Sequence, residues 1–202
     1  RDLRMSRGLG DVYKRQHEHK DHTGGIDDVR AFNFVDYPPV IHPVDIYAAP
    51  AAARVVRKDY DYAFEEEKYR GAPDIRLHEI DVARPLEIAG ERIVPVSGHH
   101  SERFEVTGYR IGRMAYLTDF KTIADAEVGK LIGVELLVVN ALRFRPHPSH
   151  FNVEEALALI ARVAPRRALI THVSHEIGRH AATTALLPRG VELAYDGLEI
   201  II

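Results

Sequence analysis

The pattern of apolar and polar positions alternates between strand-like and helix-like segments along most of the chain. Gly24-Gly25 make a turn. Ile26, Val29 and either Phe32 or Phe34 then recur at helical spacing, which predicts a short helix. "YPPVIHPVDIYAAP" is punctuated by proline and leaves room for a short strand at Asp45–Ala48. "PAAARVVRKDYDYAFEEEKY", residues 50–69, predicts a helix with Pro50 in its first turn. Its aromatics Tyr60, Tyr62, Phe64 and Tyr69 serve either helix packing or a pocket.

Strand patterns follow. "DIRLHEID" alternates at Ile75, Leu77 and Glu79. "LEIAGERIVPV" predicts a hairpin turning at Ala89-Gly90, and "TGYRIGRMAYLTD" a second one turning at Gly112-Arg113. "VELLVVN", residues 134–140, carries a continuous apolar run, the pattern of a strand buried on both faces.

The clearest helix covers 153–164. Asn152 and Glu155 form a capping box, and Val153, Ala156, Leu157, Ile160 and Val163 fall on one face. Pro165 stops it. "RALITH" (167–172) predicts a strand, "ATTALLP" a short helix, and "VELAYDGLEIII" a closing hairpin at Asp196-Gly197. Mixed strands and helices without repeats predict one α/β domain.

Composition narrows the chemistry. The 202 residues carry a formal net charge of −3, which gives no electrostatic footprint for nucleic acid or an anionic membrane. No apolar run reaches ~18 residues, so no membrane span is expected. There are no cysteines, so a metal would have to be held by His and carboxylates. Absence of Cys also fits a reducing cytoplasm.

Histidine stands out, at 12 residues. "HEHKDH", His17 to His22, sets three imidazoles and one carboxylate in H-x-H-x-D-H. A shuffled chain of this composition would contain that pattern about 3 times in a thousand. Imidazole and hard oxygen donors at such density suit more than one metal. The other ligands would come from residues just after strands: "GHH" (98–100), Asp119 after "YLT", and His172 after "LIT". "PHPSH" (146–150) is a fifth His-rich place.

With these motifs in hand, the chain resembles the metallo-β-lactamase-fold hydrolases. The likeness is strongest to the branch containing the phosphoribosyl cyclic phosphodiesterases, relatives of the tRNA 3′-processing nucleases. It is carried in order by "HEHKDHTGG", "GYRIGRMAYLTD", "VNALRFRPHPSH", "EEALALIARVAPRRALITHVSH" and "LAYDGLEI". The resemblance implies an αββα sandwich over residues 17–202, with a dinuclear site at one sheet edge.

It also implies the site residues. His17, His19 and one of His99 or His100 would bind a first metal; Asp21, His22 and His172 would bind a second; Asp119 would bridge both. His100 keeps the family's distance from Pro95, although its spacing to Gly108-Tyr109 is one residue long, so both histidines stay open and His100 is preferred. His150 matches a histidine that meets the substrate phosphate or protonates the leaving group, and Asp21 is counted with it among the catalytic residues. His175 would support His172 from behind. The cofactors implied are two divalent ions, Zn²⁺ or Mn²⁺.

Other residues have ordinary readings. His42, His78, His147 and His180 read as surface or packing histidines. Arg143 and Arg145 either meet a phosphate or are solvated loop charges.

Residues 1–16 depart from the family. "SRGLGDVYKRQ" shows no strand alternation and resembles translated sequencing-adapter sequence. It is read as a non-native or unstructured leader, so that the fold would lack its first strands. The expected activity is metal-dependent hydrolysis of small (cyclic) phosphodiesters. A thioester hydrolase of the same fold, a non-catalytic metal-binding protein and an inactive truncated fragment are the rivals, and an RNA-processing nuclease is disfavoured by the charge. The partner would be a small molecule, and a homodimer is open.

Overall fold

A computed structural model describes residues 12–15, 20–33, 42–69 and 71–202. The chain is mixed α/β and divides into two compact units, one within Arg4–Asp81 and the other running over Val82–Ile202.

The first unit holds a three-stranded parallel sheet in the order β1-β2-β3, with β1 Val12–Arg15, β2 Val44–Ala48 and β3 Ile75–Glu79. Strand β1 falls inside the stretch read as a leader, in a segment whose pattern had predicted no element. Helices α1 Lys20–Thr23, α2 Arg30–Asn33 and α3 Pro50–Asp59 complete it. Ile26, Val29, Val44, Ile46, Val56, Tyr60, Ala63 and Ile75 form its core.

Two expectations are corrected here. The helix predicted over 50–69 stops at Asp59, because Tyr60 leaves helical geometry (φ −126°). Tyr60 is buried, and its hydroxyl donates to the Thr23 carbonyl at 2.7 Å. The helix predicted from Gly24-Gly25 is split into a 3-10 turn, Asp27–Val29, and α2, with Phe32 exposed and Asn33 buried in its place. Asn33 earns that position by donating to the carbonyls of His42 and Asp74 and accepting from the Asp74 N–H.

The second unit is built on a seven-stranded sheet in the order β10-β9-β8-β7-β6-β5-β4. Strands β4 Leu86–Ile88, β5 Glu91–Ser101, β6 Phe104–Ile111 and β7 Met114–Leu117 form an antiparallel meander through the two predicted hairpin turns. Strands β8 Leu136–Asn140, β9 Arg167–Thr171 and β10 Val191–Leu193 then add in parallel, separated by α4 Asp125–Gly129, α5 Val153–Val163 and α6 His180–Thr184. All five residues of β8 are buried, as its apolar run predicts. Asn152 and Glu155 make both hydrogen bonds of the capping box at the start of α5.

The predicted closing hairpin is absent. β10 pairs in parallel with β9, and the chain turns at Asp196-Gly197 without returning as a strand. Leu198 and Ile200 instead pack over Leu136, Val138 and Leu169, so their apolar character is spent on covering the sheet. The short helix starts at His180, two residues before the predicted segment.

Strand direction positions the site. β6 runs opposite to both β5 and β7, and β7, β8 and β9 run together. The C-terminal ends of β5, β7, β8 and β9 therefore share one edge, the edge where open α/β sheets place their ligands. Among the described residues, no helix is long and apolar enough to cross a membrane.

Candidate metal centre

Four histidines and one aspartate meet at that edge. Asp119 lies two residues past β7 in the left-handed region (φ 61°), and His172 lies one past β9 with the same geometry (φ 55°). A positive φ on a non-glycine residue is costly and concentrates at functional sites. Here it turns each side chain out of its ladder at the strand end.

The Asp119 carboxylate is almost wholly buried, at 1% exposure. Its Oδ1 lies 2.9 Å from His150 Nε2 and 3.1 Å from His172 Nε2. His100 is buried on β5, with Nδ1 3.0 Å from the Asp119 carbonyl oxygen. One donor atom each from His100, Asp119 and His150 lies within 4.8 Å of the others. The rings of His150 and His172 stack at 5.1 Å, and His100 meets His150 edge-on at 4.6 Å.

His100, not His99, points into this cluster. Residues 98 and 99 pair with 106 and 105, but Ser101 pairs with Phe104, so one extra residue bulges out of β5. A bulge re-aims a side chain next to a site. It coincides with the one-residue excess in the spacing from His100 to Gly108. His99 is exposed, and its peptide is used to tie β5 to the chain after Asp119: its N–H donates to Thr122 O, and its carbonyl accepts from the N–H groups of Lys121 and Thr122.

His147 belongs to the cluster, against the expectation of a surface role. Its Nδ1 lies 3.1 Å from His150 Nδ1 and accepts from the Ser149 N–H at 3.3 Å, and Ser149 Oγ is 3.1 Å from His150 Nδ1. Burial lowers the His147 pKa from its ordinary value, helped by the nearby His150 and Arg143. His147 stands between Pro146 and Pro148, and its ring lies 5.0 Å from that of His150.

Arg145 is exposed to solvent and Arg143 is half-buried, and both are engaged by a carboxylate. Both guanidinium groups hydrogen-bond Glu176, whose carboxyl they hold below the usual range, Arg143 more strongly than Arg145. Arg143 also donates to the Pro146 carbonyl at 3.1 Å. This strap joins the loop carrying His150 to the turn after His172. Nothing in the sequence pattern marked Glu176 as a partner. His175, expected behind His172, is exposed, and among the described residues its ring bonds to no site residue.

The remaining expected ligands lie in the other unit. His17 and His19 fall outside the described residues. Asp21 and the half-buried His22 are on α1. In the Val82–Ile202 unit, imidazole nitrogens and a buried carboxylate converge without any thiolate. That donor set suits a borderline divalent cation, so the residues fit a metal.

Residues 16–173 match the family described as the beta-lactamase superfamily domain. The chain belongs to that superfamily. A crystal structure of a new diphosphatase from the PhnP family is 34% identical, with a TM-score of 0.83, over 93% of this chain and 69% of that one. At that likeness the chain belongs with the PhnP family too. Zn²⁺-bound PqqB from Methylobacterium extorquens shares the fold, with 15% identity and a TM-score of 0.68 over 95% of this chain and 73% of that one. A curated relative, the octanoyltransferase of Porphyromonas gingivalis (strain ATCC BAA-308 / W83), is 35% identical over 187 residues. Those residues are 92% of this chain and 37% of that protein, so the chain spans well under half of the relative's length. The metallo-β-lactamase fold of these solved structures thus extends to this superfamily member.

Proposed function

We propose that the chain hydrolyses small phosphodiesters with two divalent ions, Zn²⁺ or Mn²⁺. The observation that carries the reading is the buried Asp119 carboxylate facing His150 and His172 at 2.9 and 3.1 Å, with His100 beside it. In this reading His17, His19, Asp21, His22, His100, Asp119 and His172 would hold the two ions. Bound ions of this kind supply a hydroxide nucleophile near neutral pH and positive charge for the phosphate oxygens.

The chain's own residues do the rest. Imidazole ligands are neutral, so they hold metal without cancelling its charge. Asp119 is kept away from water by burial, which strengthens its hold on cations. His150 is oriented from behind by His147 and Ser149 and presents Nε2 at the cluster. There it would meet the phosphate or give a proton to the leaving alkoxide. A phosphodiester is favoured over a thioester by this histidine-backed loop and by the diphosphatase name of the 34% identical relative.

The test is turnover of matched phosphodiester and thioester panels by the Zn²⁺- or Mn²⁺-loaded chain. Cleavage of phosphodiesters, lost with a chelator and restored by metal, is the expected result. Cleavage of thioesters alone would replace the reading, and a metal-loaded chain that turns over neither panel would end it.

A further inference from the structure

The apolar run of β8 ends on a polar residue that the reaction does not use. Asn140 is fully buried, at 0% exposure. Its amide brackets the backbone of Phe120: the Phe120 N–H donates to Asn140 Oδ1 at 2.8 Å, and Asn140 Nδ2 donates to the Phe120 carbonyl at 3.0 Å. The two bonds admit only one orientation of the amide. β7 leaves the ladder after the Leu117–Val139 pair, so the Asn140 side chain takes over where backbone pairing stops.

Three site residues each lie one position from a group in this arrangement. Phe120 follows Asp119. The Phe120 carbonyl also accepts from the N–H of Phe151, which follows His150. The backbone of Asn140 registers with Thr171, which precedes His172, and the Ala141 N–H donates to the Thr171 carbonyl at 3.1 Å. Asn140 thus bonds the neighbour of Asp119, pairs with the neighbour of His172, and shares the Phe120 carbonyl with the neighbour of His150.

We infer that Asn140 is a positioning residue that sets the mutual placement of Asp119, His150 and His172 for metal binding. A shift of the Phe120 backbone is thereby felt at the ends of β8 and β9 and at Phe151. The inference rests on the metal-centre reading above.

The variant that isolates it is Asn140→Asp. The shape is kept and the acceptor for the Phe120 N–H remains, but the donor to the Phe120 carbonyl is lost and two acceptor oxygens face each other in a buried place. Val138→Ala is the control. It truncates a buried core residue of the same strand, away from the bracket. Zn²⁺ affinity of the full chain is measured by chelator competition, and the visible spectrum is taken after Co²⁺ loading. Asn140→Asp is expected to weaken Zn²⁺ about 10–100-fold, the usual effect of losing support behind a metal ligand, and to alter the Co²⁺ spectrum. Val138→Ala is expected to lower Tm while keeping affinity and spectrum. Equal loss in both variants, or retention of affinity and spectrum in Asn140→Asp, overturns the inference.

A second measurement needs no variant. Amide hydrogen exchange of the wild-type chain is compared before and after Zn²⁺ loading. Slower exchange at Phe120 and Phe151 on loading supports the coupling, and unchanged exchange there refutes it. A wild-type chain that retains no metal would instead sink the metal-centre reading, a separate outcome visible before any comparison.

Discussion

The ring of Phe120 fills a slot that exists because residue 98 is glycine. A Cβ on Gly98 would come within 2.3 Å of the ring and 2.8 Å of the Thr122 carbonyl oxygen. Gly108, on the neighbouring strand, leaves room for the same ring, 3.2 Å from where its Cβ would stand. Phe120 is fully buried and follows Asp119 directly, so this slot holds the carboxylate's backbone in place.

Gly98→Ala therefore overpacks the core behind the site. The expected cost is about 1–3 kcal/mol, seen as a lower Tm, since the ring and a backbone oxygen both have to move. Metal retention should fall with it. A melting curve that matches wild type would show that the slot relaxes freely.

Asp119→Asn keeps the volume of the side chain and removes its charge. Elemental analysis after Zn²⁺ loading and desalting is expected to drop from about two ions per chain to fewer than one, because the shared carboxylate is central to the proposed site. Circular dichroism should still report a folded chain, and full metal retention would count against Asp119 as a ligand.

His150→Ala separates a substrate-facing role from a ligand role. Phosphodiester turnover should fall about 10²–10⁴-fold, the usual range for a lost acid–base group. The metal content should stay at the wild-type level. Loss of metal in parallel would reassign His150 to the ligand set, a geometry its 2.9 Å approach to Asp119 allows.

Glu176→Gln removes the anion that Arg143 and Arg145 share. The Glu176 carboxyl is held below its ordinary value of 4.5 by hydrogen bonds from Arg143 and then Arg145. A depressed acid stabilises the fold once it is ionised in both states, above that ordinary value, and loses the contribution as pH falls through its lower folded value. Wild type should thus be more stable than Glu176→Gln in urea melts at neutral pH, with the gap closing below pH ~4. A gap that is constant with pH would mean that the strap's charge plays no part.

Much of the fold could be read along the chain. The all-apolar "LLVV" stretch before Asn140 becomes a strand buried on both faces, and the Asn152–Glu155 box opens α5 as written. These signals are local. Burial on two faces shows in consecutive residues, and a cap needs positions only three apart. The tail from Val191 misled for the same reason: alternating apolar residues do not say whether they will pair with a strand or lie across a sheet. Tyr60 ended a helix early because its hydroxyl found a carbonyl 37 residues away, which no window along the chain contains.

By itself the sequence determined the donor chemistry and the family. Twelve histidines without a cysteine, and Asp and His at the ends of strand-like runs, restrict any metal to imidazole and carboxylate ligands. Tertiary structure alone decided which of these side chains meet. The bulge in β5 chose His100 over His99, the tight loop brought His147 to His150, Glu176 claimed both arginines, and Asn140 linked three strand ends. Each of these depends on strand register and direction, which join residues far apart in sequence. A ligand's identity is carried by its side chain, but its position is set by the strands that end beside it.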